Sequence, residues 1–350
     1  MRILHIASWP AEFVLNDVFY FNKLSGNKNF YYKVRFLHYY GNNFFYAIAL
    51  FFINILLSIY QSRIILRMDF DIIHCHFIPP VLTAFFTKKP TFLITNESAN
   101  SYPRIWIRFF KFFSKNAIIV NVSKFNRDYW AKILGRQGVV IYHAIDLEHF
   151  NPYIIGDKIR DKIKDVLKCD YIITSLGPLN EDRGFDKIVE AVSKINSNNS
   201  YKLGLILKIY GKNINYEKKI WDLANKKSIP IKIISQYLKT KDLAKLIKAS
   251  DIFIRSSKKE SFGIAPLEAM ALGTPLILTN SKCHLEIFNG PGLFYEFNDI
   301  DDLAFKIKHL LEDNEFRKNQ IELGIKKSTY YDWNTKVNKY LKIYQRIMKE

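Results

Sequence analysis

The stretch from Asp251 to Asn280, DIFIRSSKKESFGIAPLEAMALGTPLILTN, constrains this chain most. Asp251 to Arg255 is a short apolar run rich in isoleucine, the pattern of a buried strand. Polar residues follow, and Pro266 then suits the first helical position, where a missing N–H costs nothing. Leu267 to Leu272 are strong helix formers. Gly273 followed by Pro275 stops the helix, and Leu276 to Leu278 begin another strand. Glu260 falls on the turn and Glu268 in the first helical turn. Two carboxylates therefore bracket a strand–loop–helix junction, and open parallel sheets bind ligands at the carboxyl ends of their strands.

The rest of the chain keeps the same rhythm. Short apolar strands are expected at 2–7, 33–37, 71–76, 91–95, 117–122 and 139–142. A second set is expected at 171–176, 204–210, 231–234, 251–255 and 275–278. Helices are expected between several of them, at 185–195, 216–226 and 240–249. Repeated βαβ units make an α/β fold with parallel, doubly wound sheets. The 350 residues suffice for two such domains. The charged segment 146–170, with Pro152 and Gly156, places a boundary near residue 150. The expected domains are 1–150 and 151–331, with a C-terminal amphipathic helix, 332–350, rejoining the first.

Charge narrows the partners. A net charge of +19 favours anionic ones: a phosphorylated small molecule, an anionic membrane surface or nucleic acid. A lysine-rich composition accounts for part of it. No nucleic-acid motif accompanies the charge, so a nucleic-acid partner is not expected. Three widely spaced cysteines, Cys75, Cys169 and Cys283, do not make a disulfide framework and fit a reducing, cytoplasmic compartment. The start, MRILHIASWP, reads as a first strand and not as a signal peptide. No Asp, Glu, Lys or Arg occurs between Arg35 and Arg63. Its core, Phe44 to Leu57, is shorter than the roughly 20 apolar residues a spanning helix needs, and reads as a buried or membrane-surface helix. Ser101 to Lys115 sets Arg104, Arg108, Lys111 and Lys115 along one helical face, with five aromatics filling much of the rest. That pattern suits either peripheral contact with an anionic membrane or a core helix with a basic solvent face.

Glu260, Phe262, Gly263, Glu268, Ala269, Met270, Ala271, Gly273 and Pro275 together resemble the E-x7-E signature of retaining GT-B glycosyltransferases, in particular family four of the nucleotide-sugar-dependent enzymes. Asp71 to His76 resembles that family's Asp-x-x-His-x-His strand. Val122-Ser123-Lys124 resembles its Val-Ser turn, and Asp146, Phe150 and Pro152 its interdomain segment. Leu176-Gly177 with Arg183-Gly184 resembles its phosphate-binding loop, and Lys208 to Gly211 its following strand. The resemblance is strong from Ser175 onwards and weaker before Asp71. It implies two Rossmann-like domains facing a central cleft, with the acceptor held by the first and the nucleotide-sugar donor by the second. No cofactor beyond that substrate is expected.

By the same resemblance, Glu268 would accept from ribose hydroxyls and Glu260 from donor-sugar hydroxyls. Arg183 would grip the diphosphate. Gly177, Tyr210, Gln236, Tyr237, Ser261, Phe262, Gly263 and Ile264 would line the donor. Where the family has a second cationic residue, this chain has Pro178, so Lys212 and Lys258 are candidates to supply the charge. On the acceptor side Trp9, Asn16 and His76 would contribute. Glu97 stands where the family often has a catalytic histidine. His74 and His76 alternate onto one strand face, but no third ligand lies at a recognisable zinc spacing, so no metal site is expected. The implied activity is retaining, metal-independent hexosyl transfer to a glycan or lipid-linked saccharide in bacterial surface polysaccharide synthesis. Pro178 and Glu97 motivate an alternative, a non-catalytic binding or scaffold protein of the same fold.

Overall fold

The computed structural model describes residues 1–8, 12–37, 43–96, 102–198 and 201–347. They divide into two compact units, Met1–His143 with Trp333–Glu350, and Ala144–Asp332.

The first unit runs β1 (Arg2–Ala7), α1 (Glu12–Ser25), β2 (Lys28–Lys33), α2 (Phe44–Ile65), β3 (Ile72–His76) and α3 (Pro80–Phe85). It continues through β4 (Thr91–Thr95), α4 (Arg104–Phe113), β5 (Ile118–Asn121), α5 (Lys124–Leu134) and β6 (Val139–Val140). Its strands pair in parallel in the order β2-β1-β3-β4-β5-β6. Central strands of such a sheet are covered on both faces, so β3 and β4 are buried at every residue. Ile73, Leu93, Phe51, Trp106 and Phe110 build the core on one face.

The second unit runs α6 (Asp157–Leu167), β7 (Tyr171–Pro178), α7 (Phe185–Asn198), β8 (Leu203–Tyr210), α8 (Ile214–Lys226), β9 (Ile231–Ile234) and α9 (Thr240–Lys248). It continues through β10 (Ile252–Arg255), α10 (Ile264–Ala271), β11 (Leu276–Thr279), α11 (Lys282–Phe288), β12 (Gly292–Tyr295), α12 (Ile300–Glu312) and α13 (Asn314–Ser328). The last helix, α14 (Trp333–Ile347), belongs to the first unit. Six parallel strands lie in the order β12-β11-β10-β7-β8-β9. Asp251, just before β10, fixes this pairing: its carboxylate accepts from Ile172 N at 2.7 Å and from Arg160 Nη2 at 2.6 Å.

Two expectations shift. The strand expected at 33–37 lies at Lys28–Lys33, where KNFYYK supplies the aromatics that favour an edge strand. The backbone beyond it is held by side chains of α2. Asn54 bonds both N–H and C=O of Leu37, and Gln61 bonds both of Arg35. Second, α10 begins at Ile264, so Pro266 is its third residue and Glu268 lies in its second turn. Proline is still tolerated there, because the first four N–H groups have no partner within the helix.

Candidate functional site

In the second unit the chain winds outward from β7 through β8 to β9, then returns with β10 on the other side of β7. The crevice at the carboxyl ends of β7 and β10 is therefore the sheet's switch point. Four segments end there: β7 at Gly177-Pro178, the following turn at Arg183, β10 at Arg255, and the N-terminus of α10.

Glu260 sits at the centre. Its side chain is 10% exposed, and a single oxygen, Oε2, accepts three N–H groups. These come from Arg183 Nη1 at 2.8 Å, Arg255 Nη2 at 2.7 Å and Arg255 Nε at 3.0 Å. Burial works to raise the pKa of this carboxyl. The guanidiniums of Arg255 and Arg183 outweigh it and hold the pKa down to about 2. Oε1 has no hydrogen bond among the described residues, so the carboxylate is anchored through one oxygen while the other can accept. Arg183 also donates to Ser257 Oγ at 2.9 Å, and its Nε is buried without a partner. Burial, then the neighbouring Arg255 charge, lower the Arg183 pKa.

Arg255 is the candidate site residue that sequence reasoning missed. It closes an isoleucine-rich strand, where a charge reads as the strand's solvent end. In the structure it is 6% exposed, and Nη1 donates to Leu176 O on β7. Gly177 leaves the room for this: a Cβ there would overlap Arg255 Nη1. The signal was present in the pairing, since an arginine ending one central strand lies beside a glycine ending the next. Lys212 and Lys258, the residues expected to complete the cationic set, are exposed. Arg255 occupies the buried position.

The other expected donor residues group less tightly. Gly263 caps α10 at φ 95°, a left-handed conformation that favours glycine. Phe262 is buried, while Ser261, Ile264 and Glu268 are half-buried. The free N–H groups at the start of α10 make a site for anions. Tyr210 ends β8 with its ring half-exposed and Lys208 Nζ 4.5 Å from its centre. Gln236 and Tyr237 are exposed on the loop after β9.

In the first unit, Trp9 and Glu97 lie outside the described residues. Asn16 is half-buried on α1. His76 is fully buried, not at a surface, and the structure adds a third histidine to the pair. His5, His74 and His76 bring three ring nitrogens within 4.8 Å of one another, a third imidazole that no zinc spacing in the sequence marks. His5 is the register partner of His74 on the neighbouring strand. The hydrogen bonds assign the protons. Asn29 gives its amide N–H groups to Asn22 and Asn27, so its Oδ1 faces His5 Nε2, 3.1 Å away, and His5 must donate there. A neutral His5 then accepts at Nδ1 from His76 Nε2, 3.0 Å away. His74 Nε2 shares a 2.6 Å bond with the Tyr344 hydroxyl. Burial lowers the pKa of all three histidines, His5 to about 4. The nearby Asp17 carboxylate is paired with Lys336. The three rings thus form a neutral, hydrogen-bonded core cluster; a metal bound there would have to displace the His5–His76 bond.

Residues 157–327 match the family model described as "Glycosyl transferases group 1". A Campylobacter jejuni N,N'-diacetylbacillosaminyl-diphospho-undecaprenol alpha-1,3-N-acetylgalactosaminyltransferase is 33% identical over 110 residues, 31% of this chain and 29% of that protein. The match thus spans less than a third of that relative's length. An uncharacterized glycosyltransferase of Methanocaldococcus jannaschii is 24% identical over 322 residues, 84% of this chain and 81% of its own. Among solved structures, a Rickettsia africae glycosyltransferase superposes with a TM-score of 0.80 at 18% identity, covering 100% of this chain and 99% of its own. The Anabaena protein HepE in complex with UDP and glucose gives 0.80 at 14% identity, covering 99% of each chain. At these identities the structures establish the fold, which is GT-B.

Proposed function

Starting from a chain of GT-B fold whose second unit matches the group 1 glycosyltransferase model, we propose that it transfers a sugar, with retention, from a nucleoside diphosphate to a hydroxyl of a glycan or lipid-linked saccharide. The observation that carries this reading is the buried Arg183–Glu260–Arg255 group at the switch point beside the N-terminus of α10.

The chemistry follows from charge. When the bond from the anomeric carbon to the β-phosphate oxygen breaks, negative charge grows on the diphosphate. Arg183, through its unpartnered Nε, and the N–H groups of α10 are placed to meet that charge. Arg255 holds Glu260, and Glu260 in turn holds Arg183, so the groups are set before the donor arrives. Glu260 Oε1 accepts from a sugar hydroxyl, and Glu268 from the ribose. The acceptor oxygen then bonds the anomeric carbon on the face the diphosphate leaves, and its proton passes to the departing phosphate oxygen. Arg183, a second guanidinium that offsets Glu260, and a helix terminus supply the positive charge, so in this reading no divalent ion is required. In this reading Glu97, with Trp9 and Asn16, contributes to the acceptor side.

The C. jejuni relative's name supports a lipid-diphosphate-linked acceptor, and with it a place in bacterial surface polysaccharide synthesis, on the cytoplasmic face of a membrane. Sugar release from a panel of uridine and guanosine diphosphate sugars, with and without polyprenyl-diphosphate saccharides, tests the reading. Glu260→Ala and Arg183→Ala should each reduce turnover at least a hundredfold; unchanged turnover in both variants would overturn it. Donor binding without turnover on any acceptor would favour a binding or scaffold protein.

A further inference from the structure

Helix α2 wears its polarity inside out. A helix on a soluble domain normally buries its apolar face and exposes its polar one. Here Asn54, Ser58, Gln61 and Ser62 are buried, while Phe45, Phe52, Ile53, Leu56 and Tyr60 are exposed by half or more. The exposed set follows the helical repeat: Phe52 and Ile53, then Leu56, then Tyr60 fall three and four residues apart, and Phe45 lies seven residues before Phe52 on the same stripe. Leu56 is 68% exposed and Phe45 81%.

The buried polar side chains have work to do. Asn54 and Gln61, two turns apart, bond the open backbone of Leu37 and Arg35. They fix the helix along the domain, together with Phe51, stacked 4.4 Å from Phe109 of α4, and with Ala47 O, which accepts from Trp106 Nε1 at 2.8 Å. The apolar stripe is therefore presented by a helix that packing and hydrogen bonds hold in place. Although 22 residues could cross a bilayer by length, these ties lay α2 along the unit's surface.

The charges around the stripe identify what covers it. α2 contains no acidic residue, and Arg63 and Arg67 continue its exposed face beyond Tyr60. On α4, packed beside α2, Arg104, Arg108 and Lys111 are exposed, as is Lys115 just beyond its end, with Phe112 54% exposed among them. No acid occurs in α4 either. An apolar stripe flanked by cations and free of carboxylates matches an anionic bilayer surface: the side chains enter the acyl boundary and the cations meet the headgroups. A second protein copy would bring the same cations against each other.

We propose that α2, supported by α4, docks the first unit in the plane of an anionic membrane. The proposal shares with the transferase reading only the expectation of a membrane-bound acceptor; docking is measured without donor, so either can fail alone. The full chain is floated with vesicles of phosphatidylethanolamine and phosphatidylglycerol, and with vesicles of phosphatidylcholine. We expect flotation with the first, at least about tenfold weaker partition into the second, and weakening by salt. Phe52→Gln/Leu56→Gln, which leaves the buried face of α2 intact, should reduce partition about tenfold or more. Arg104→Gln/Arg108→Gln should reduce it and flatten the salt dependence. Three results would overturn the proposal: no flotation of the wild type, equal flotation of Phe52→Gln/Leu56→Gln, or a vesicle-free dimer that this double variant turns into a monomer.

Discussion

Removing Arg255 should damage the second unit far more than removing a surface arginine. Glu260 is held at about 2 against an ordinary 4.5. That depression corresponds to about 3 kcal/mol of preference for the ionised carboxylate in the folded state. The sign follows directly: a depressed carboxyl pKa stabilises the fold above the unfolded value of 4.5, and the gain is lost as pH falls toward 2. Arg255 supplies two of the three N–H groups on Oε2, so Arg255→Met removes more than half of the compensation and leaves the burial cost. The side chains are 8%, 10% and 18% exposed for Arg255, Glu260 and Arg183, so solvent screening is slight. Breaking a buried pair by removing one partner typically costs about 3–5 kcal/mol. With Arg183 retained, about 3 kcal/mol is expected here. Glu260→Gln alone should cost a similar amount, because two guanidiniums then face a neutral amide. The double variant should cost less than the sum, with a coupling of about 2 kcal/mol. Urea unfolding of the four proteins at pH 7.5 gives that number. A coupling below about 0.5 kcal/mol would refute the buried triad as an energetic unit.

Other consequences can be checked alongside. Gly177→Ala should displace the Arg255 guanidinium from Leu176 O and Glu260, lowering nucleoside-diphosphate affinity about tenfold at a stability cost of about 1 kcal/mol, by titration calorimetry and urea unfolding. Acid should destabilise both units well before their carboxylates titrate. His5 and His284 stay neutral down to about 4 because they are buried, whereas the unfolded chain protonates them below 6.5. Each should therefore remove about 1 kcal/mol between pH 7.5 and 5.5, and a flat unfolding midpoint over that range would contradict the burial. Lys336→Met should strand Asp17, which α14 pairs inside the first unit, and lower stability by about 3–5 kcal/mol. Lys336→Met/Asp17→Asn should recover most of it.

The fold was largely readable because parallel strands buried on both faces leave uninterrupted apolar runs, and β1, β4 and β9 begin and end where the residues predict. Edges were harder. The strand expected at 33–37 lies at 28–33, because an edge strand has a weaker apolar pattern, and the chain beyond it is held by Asn54 and Gln61 of a helix distant in sequence. The strand–loop–helix junction that carries Glu260, Gly263 and Glu268 was legible, because its spacing is local. Arg255 was not, because its role rests on a cross-strand approach to Gly177, and adjacency between β7 and β10 is a property of the sheet order. His5 went unnoticed as a partner of His74 for the same reason.

The central claim is that the crevice at β7, β10 and α10 holds a nucleoside-diphosphate sugar through Arg183 and Glu260. Isothermal titration of uridine and guanosine diphosphate sugars into the wild type and Arg183→Ala tests it without needing the acceptor. The account predicts that one donor binds the wild type with a Kd below about 1 mM, and that the variant binds it at least thirtyfold more weakly, as loss of a charge-assisted contact worth about 2 kcal/mol requires. Equal affinity in the two proteins, or no binding of any donor at millimolar concentration, would contradict it.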